Sequence, residues 1–396
     1  MIVETSKLKF LSAHLTALLL TFIFAALAPL LLLNGCGTMG RSGMMSSSGM
    51  PASFAFVSNS GSGTVSAFAV SSSGSLSSVS GSPFPSGAGA EFMAMDAVHK
   101  LLFVTNQGAN TVSVFSVNTG TGMLTAAPGS PFVAGAAPLG IAVDKMGKFA
   151  FVANQNDGTI SVFSIGSNGA LTQVPGSPFA GVTNPFGVAV NPTGTLLFVS
   201  NFNGNSGTGN TISTFMINTA TGALTPAGSS FATSNPPGIT APIGMATDGK
   251  FLFVGDHMAE SVVPFNINAA SGALTPVSAL PAPASGCGVS CHHNPLRLVI
   301  DPMDRFVFWT NVQAGTLASF NINNGTLTAI TEVPTGQHPF GLALDPTGSF
   351  LFVVNKVDST VSAFTVSSGG MLSPVSGSPF AEGAKDPTDI VVVARQ

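Results

Sequence analysis

An apolar run closed by Asn or Asp occurs seven times in this chain: FAFVSN (54–59), LLFVTN (101–106), FAFVAN (149–154), LLFVSN (196–201), FLFVGD (251–256), FVFWTN (306–311) and FLFVVN (350–355). Each is followed by a second segment: TVSAF (64–68), TVSVF (111–115), TISVF (159–163), TISTF (211–215), SVVPF (261–265), TLASF (316–320) and TVSAF (360–364). A third marker, Gly-x-Leu, begins at Gly74, Gly122, Gly169, Gly222, Gly272, Gly325 and Gly370. Short β-branched and aromatic runs at a period of roughly forty to fifty residues cannot bury their faces alone, but stacked copies can. The three markers therefore predict an all-β fold: one seven-bladed propeller with four antiparallel strands per blade.

The strands follow in the order a to d, counted from the hub outward. Strand a is read from runs such as GIAVD (140–144), GVAVN (187–191) and GLALD (341–345), and strand b is the run closed by Asn. Between them lies a turn such as DPTG (345–348), whose Asp can bond its own backbone. The first repeat begins at strand b. DIVVVA (389–394) is the missing inner strand, so the C-terminus is expected to complete blade one and close the ring. In such a meander the b–c loops and d-to-a connections share one face of the disk. The a–b and c–d turns share the other.

Three regions are expected: a signal peptide over 1–35, a lipidated Cys36 with a flexible tether over 36–52, and the propeller over 53–396. Lys7 and Lys9 precede an apolar stretch that ends in Leu33-Asn34-Gly35-Cys36, a lipobox-like site for cleavage before a lipid-bearing cysteine. The reading is of an exported protein held to a bacterial membrane by that lipid, in the periplasm or at the cell surface. An uncleaved membrane span over the same stretch is the competing reading. Only 7% of residues are charged and the formal net charge is −4. Without a basic stripe, nucleic acid is excluded as a partner.

LFVTN (102–106) and its six variants resemble the YVTN-type propeller repeat, and residues 53–396 resemble the seven-bladed lactonase family, which includes 6-phosphogluconolactonases. The resemblance implies a seven-bladed ring. It also implies lactone hydrolysis by an Arg-His pair opening one strand a, with a Glu after the Asn of a strand b. The nearest match to that pair is Gln337-His338. The residues after the Asn or Asp are Ser60, Gln107, Gln155, Phe202, His257, Val312 and Lys356, none of them Glu.

Departures from the repeat are the remaining candidates. Asp256-His257 follows strand b of blade five, Cys287, Cys291, His292 and His293 lie in the connection into blade six, and His338 enters blade seven. Asp256, His257, His292, His293 and His338 are a candidate Zn or Cu set. Cys287 and Cys291 are expected as a disulfide in an oxidising compartment. At the first core position of strand a, Gly140, Gly187, Gly244 and Gly341 recur, but Phe92, Arg297 and Asp389 replace glycine elsewhere. Arg297 and Asp389 read either as an ion pair plugging the channel, with Gly341 leaving room, or as a polar floor where Arg297 grips a carboxylate or phosphate. His338, Arg297 and Asp389 are the catalytic candidates.

The sequence favours a monomeric, non-catalytic binding or scaffold protein without a resident cofactor. It would take an unidentified protein, glycan or small molecule on the b–c/d–a face. A divergent lactonase and a metal or redox protein are the alternatives.

Overall fold

The computed structural model describes residues 52–396 except 203–209, 228–230, 233–240, 258–259 and 278–293. Cys36, Cys287, Cys291, His292 and His293 lie outside the described residues, as do the leader and nearly all of the tether. The described residues contain no helix, and so none long and apolar enough to cross a membrane.

Seven antiparallel sheets form the blades. Strand b in each is the Asn-terminated or Asp-terminated run, and every residue of Ser53–Asn59, Leu101–Asn106 and Phe149–Asn154 is buried. These strands do not alternate because blades stack on both of their faces. Phe56, Val65 and Ala67 of blade one share a core with Leu102, Val104 and Phe115 of blade two. Ala55, Val57 and Phe68 pack the opposite way, against Phe352, Val354 and Val361 of blade seven.

Ring closure follows the expectation. Pro387–Ala394 pairs with Ser53–Asn59 in register Ser53↔Ala394 to Ser58↔Asp389, and so forms strand a of blade one. Ile390 and Val393 enter two different inter-blade cores.

The repeated markers are joints. The Asn closing strand b donates through Nδ2 to a Thr and a Ser of strand c, as Asn106 does to Thr111 (3.0 Å) and Ser113 (2.9 Å). The same pair of bonds ties Asn59, Asn154, Asn201 and Asn355. The Gly of Gly-x-Leu has positive φ, 76° at Gly122, and a Cβ there would run into the ring of Phe54 in the preceding blade. On the same face, in the a–b turn, Asp345 Oδ1 accepts two amides ahead of it, from Ser349 and Phe350, each at 2.7 Å.

Blade six differs, since its outer hairpin Thr316–Asn323/Thr326–Pro334 pairs along its whole length. The four GSPF segments have a structural task. Each uses its Ser Oγ to accept an amide of strand c, as Ser130 does from Val114 at 2.9 Å, with Ser82, Ser177 and Ser378 alike.

Candidate functional site

The seven inner strands are Ala90–Asp96, Pro138–Val143, Pro185–Val190, Pro242–Thr247, Pro295–Ile300, Pro339–Leu344 and Pro387–Ala394. Each shows a register shift near its first residues, so that two of its residues oppose one on strand b. A bulge of this kind re-aims side chains that simple alternation would separate. Here it falls where the strands enter the hub from the b–c/d–a face.

At the third position of strand a, the four glycines are set by close approach. A Cβ on Gly140, Gly187 or Gly244 would strike a carbonyl oxygen of the next blade's inner strand (Phe186, Ile243 and Leu296). A Cβ on Gly341 would lie 2.6 Å from Asp389 Cα. The expectation that Gly341 leaves open space is therefore corrected: the neighbouring backbone fills it.

The three side chains that replace glycine meet at the centre. Arg297 Nη2 donates to Asp389 Oδ2 at 2.5 Å, while the guanidinium carbon lies 4.2 Å from the centre of the Phe92 ring. Asp389 Oδ2 also accepts the Met93 amide at 3.0 Å. Asp389 and Phe92 are buried, and Arg297 is half-buried. Burial pushes the Asp389 carboxyl up and Arg297 pulls it back down. Phe92 stacks on Phe340 (6.4 Å between centroids) and meets Phe186 edge-on (5.6 Å), and Phe186 meets Phe202 (6.1 Å).

Beside this plug stands a group that the sequence reading did not single out. Glu91 is the second residue of its inner strand, where the other blades carry Leu139, Phe186, Ile243, Leu296, Phe340 and Thr388. Its carbonyl accepts from Ser58 Oγ at 2.5 Å and from Thr388 Oγ1 at 2.9 Å, which fixes its backbone. Burial raises the Glu91 carboxyl above the ordinary range. Lys356 is the strongest opposing charge, Asp389 raises it further, and Arg297 lowers it. The Lys356 ammonium also lies 4.8 Å from the centre of the Phe340 ring. A signal for Glu91 was present, since it is the only carboxylate in its column of seven.

Of the proposed metal ligands, Asp256, His257 and His338 lie among the described residues. Asp256 is fully buried at the end of strand b, and its Oδ1 accepts the Ala241 amide at 2.9 Å. His257 is half-buried, its Nδ1 has no partner, and burial lowers its pKa. His338 is exposed and has φ 53°, the left-handed backbone also found at Ala137, Asn184, Asn294 and Asp386 before other inner strands. It borders a surface hollow of about 420 Å³ with Gln313, Gln337 and Asp358. Its carbonyl accepts the Lys356 amide at 3.0 Å, which ties this loop to the mouth. Among the described residues no three His, Cys, Asp or Glu side chains converge as a metal group.

The arrangement is a hub holding the Arg297–Asp389 pair, with the Glu91 carboxyl, Lys356 and an aromatic wall beside it, on a seven-bladed propeller. The family model for the lactonase seven-bladed β-propeller matches residues 51–240 and 243–385, and the chain belongs to that family. Similar solved structures include a Bacteroides fragilis protein assigned as a 6-phosphogluconolactonase: TM-score 0.70, 21% identity, 88% of this chain and 99% of that one. A periplasmic gluconolactonase of Pseudomonas aeruginosa gives TM-score 0.71 at 17% identity, over 87% and 99%. At these identities the likeness extends to the fold alone. No curated protein matches the sequence.

Proposed function

We propose that the chain hydrolyses a sugar-acid lactone at the mouth of the hub, with Glu91 as general base. The observation that carries this reading is Glu91 itself, a half-buried carboxyl at the second position of an inner strand, raised by burial and opposed most strongly by the charge of Lys356 and less by Arg297. A base poised above the ordinary carboxylate range works closer to neutral pH. In the proposed step Glu91 takes a proton from water as the water oxygen bonds to the lactone carbonyl carbon. The carbonyl oxygen gains negative charge, which Lys356 and the remaining Arg297 donors stabilise. The intermediate then expels the ring oxygen, which takes the proton from Glu91 and leaves as a hydroxyl. The product is the open hydroxy acid, and Glu91 is again a carboxylate. Phe186 and Phe340 offer apolar surface to the C–H face of the sugar ring.

The test is hydrolysis of glucono-1,5-lactone by the purified chain, read against the spontaneous rate. Glu91→Gln is expected to lose about 10²–10⁴-fold with its melting temperature retained. An equal rate in Glu91→Gln would remove Glu91 from the reaction. No rate above background would select a second reading, a binding module that does not turn its ligand over. The commitment of Arg297 to Asp389 supports that reading.

Export by the leader and lipidation of Cys36 are part of the same proposal, and would present the site outside the cytoplasm. Cys36→Ser should move the chain from the membrane to the soluble fraction.

A further inference from the structure

The chain after residue 52 contains nine Lys and Arg and fifteen Asp and Glu, and none of these lies in an undescribed segment. The fold therefore assigns every one of them to a face. Lys100, Lys145, Lys148, Lys250 and Arg305 lie in the a–b turns, and Arg395 follows the end of an inner strand on that same face. With Asp96, Asp144, Asp248, Asp301, Asp304 and Asp345, that face balances at six charges of each sign.

The face that carries the mouth is different. Only Arg297, Lys356 and Lys385 are basic there, against nine acids: Glu91, Asp389 and Asp256 at or near the hub, and Asp157, Glu260, Glu332, Asp358, Glu382 and Asp386 in the loops, connections and outer strand. The two cations at the mouth already face carboxylates. Arg297 is bonded to Asp389, and Lys356 is the strongest opposing charge on Glu91. A phosphate dianion needs charge-assisted donors not already neutralised. Clefts lined by one sign of charge concentrate ligands of the opposite sign and deplete those of their own.

We infer, building on the proposed hydrolysis, that the site takes an uncharged lactone and rejects the phosphorylated or otherwise anionic forms. The opened acid, carrying one negative charge, meets the same field and is helped to leave.

The experiment compares kcat/KM of the full chain for glucono-1,5-lactone and for its 6-phosphate, at about 10 mM and about 150 mM salt. Over that range the screening length falls from about 30 Å to about 8 Å. The neutral lactone should be preferred by at least about tenfold at low salt. Salt should raise kcat/KM for the 6-phosphate and leave that for the neutral lactone flat. Asp157→Asn combined with Asp358→Asn, on the rim, should raise only the 6-phosphate value. Preference for the 6-phosphate, or a 6-phosphate value that falls with salt, overturns the inference while leaving hydrolysis intact. If neither lactone turns over, the proposed function fails, and calorimetric titration with 6-phosphogluconate decides the charge question separately. Saturable binding at low salt overturns the inference, and no binding supports it.

Discussion

The two faces of the disk use the same residue types for opposite purposes. On the a–b turn face, Asp144, Asp301 and Asp345 recur in register, and each spends its carboxylate on amides of the turn that follows. On the mouth face, Glu91, Arg297, Lys356 and Asp389 each occur once; Arg297 bonds Asp389, and Arg297, Lys356 and Asp389 all bear electrostatically on Glu91. Repetition marks what every blade needs in order to fold. Singularity, where strands converge on the axis, marks what only the whole ring can assemble. The comparison predicts a separation: changes on the turn face should cost stability without activity, and changes at the mouth the reverse.

The largest effect is expected where the two cannot be separated. Removing residues 387–396 takes away strand a of blade one, the Ile390 and Val393 core contacts, and Thr388 and Asp389 at the hub. The loss should exceed the roughly 5–15 kcal/mol by which a domain is stable, leaving no cooperative unfolding transition. A truncated chain with the parent melting temperature would show that the ring does not depend on this closure.

Gly341→Ala tests the hub from within. The added methyl must displace Asp389, whose Cα lies 2.6 Å away, and with it the partner of Arg297. Overpacking of this kind costs about 1–3 kcal/mol, and backbone contact places this site toward the upper end. Lactone turnover should fall as well, because Asp389 bears on Glu91. Asp345→Ala is the matching probe of the turn face. It strips the acceptor from the amides of Thr347, Ser349 and Phe350, the last leading a buried strand, and from the Thr347 hydroxyl, for about 1–3 kcal/mol. Its kcat/KM below the new melting temperature should equal that of the parent. A loss of activity there would break the division between the faces.

The same division explains what was legible in the sequence. The blades could be read because Asn-to-Thr/Ser joints, left-handed glycines and turn aspartates are local devices, fixed within a few residues and repeated seven times. Arg297 and Asp389 were visible as breaks in a column of glycines. Glu91 was equally a break in its own column, but alternation along a strand assigns only one of two adjacent residues to a given side, and Phe92 already held that place. The bulge that brings both toward the hub is a property of the paired strands, and no residue type announces it. Lys356 was seen only as a residue after an Asn. Its meaning depends on a blade two steps around the ring, and ring closure supplies that proximity.

The smallest predicted effect concerns pH, and it centres on Glu382 in the connection that closes the ring. Burial raises this carboxyl above its ordinary value of 4.5, as it raises Glu91 and Asp389 on the same face and Asp304 on the other. Between the unfolded and folded values the folded state holds the additional proton. Stability is therefore greatest on the acid side and declines as pH rises through the folded value. Geometry gives the proton a task. The Ser66 and Asn59 side chains and the Ala384 amide beside Glu382 offset burial only in part: Glu382 Oε1 and Asn59 Oδ1 are both buried without a hydrogen-bond partner, while Glu382 Oε2 accepts the Ala384 amide at 2.8 Å. One blade on, Ser86 Oγ donates to Asn106 Oδ1 at 2.9 Å from the matching connection. A neutral carboxyl can supply the corresponding bond to Asn59, and a carboxylate cannot. Glu382→Gln, with an amide donor at every pH, should raise the melting temperature at pH 8 and flatten its decline between pH 5 and pH 8. Lactone turnover should not change, because Glu382 stands outside the mouth. An unchanged slope in Glu382→Gln would mean that Glu382 is ionised in the folded ring, with the Asn59 amide turned to donate to it. The pH dependence would then belong to the mouth and Asp304 alone.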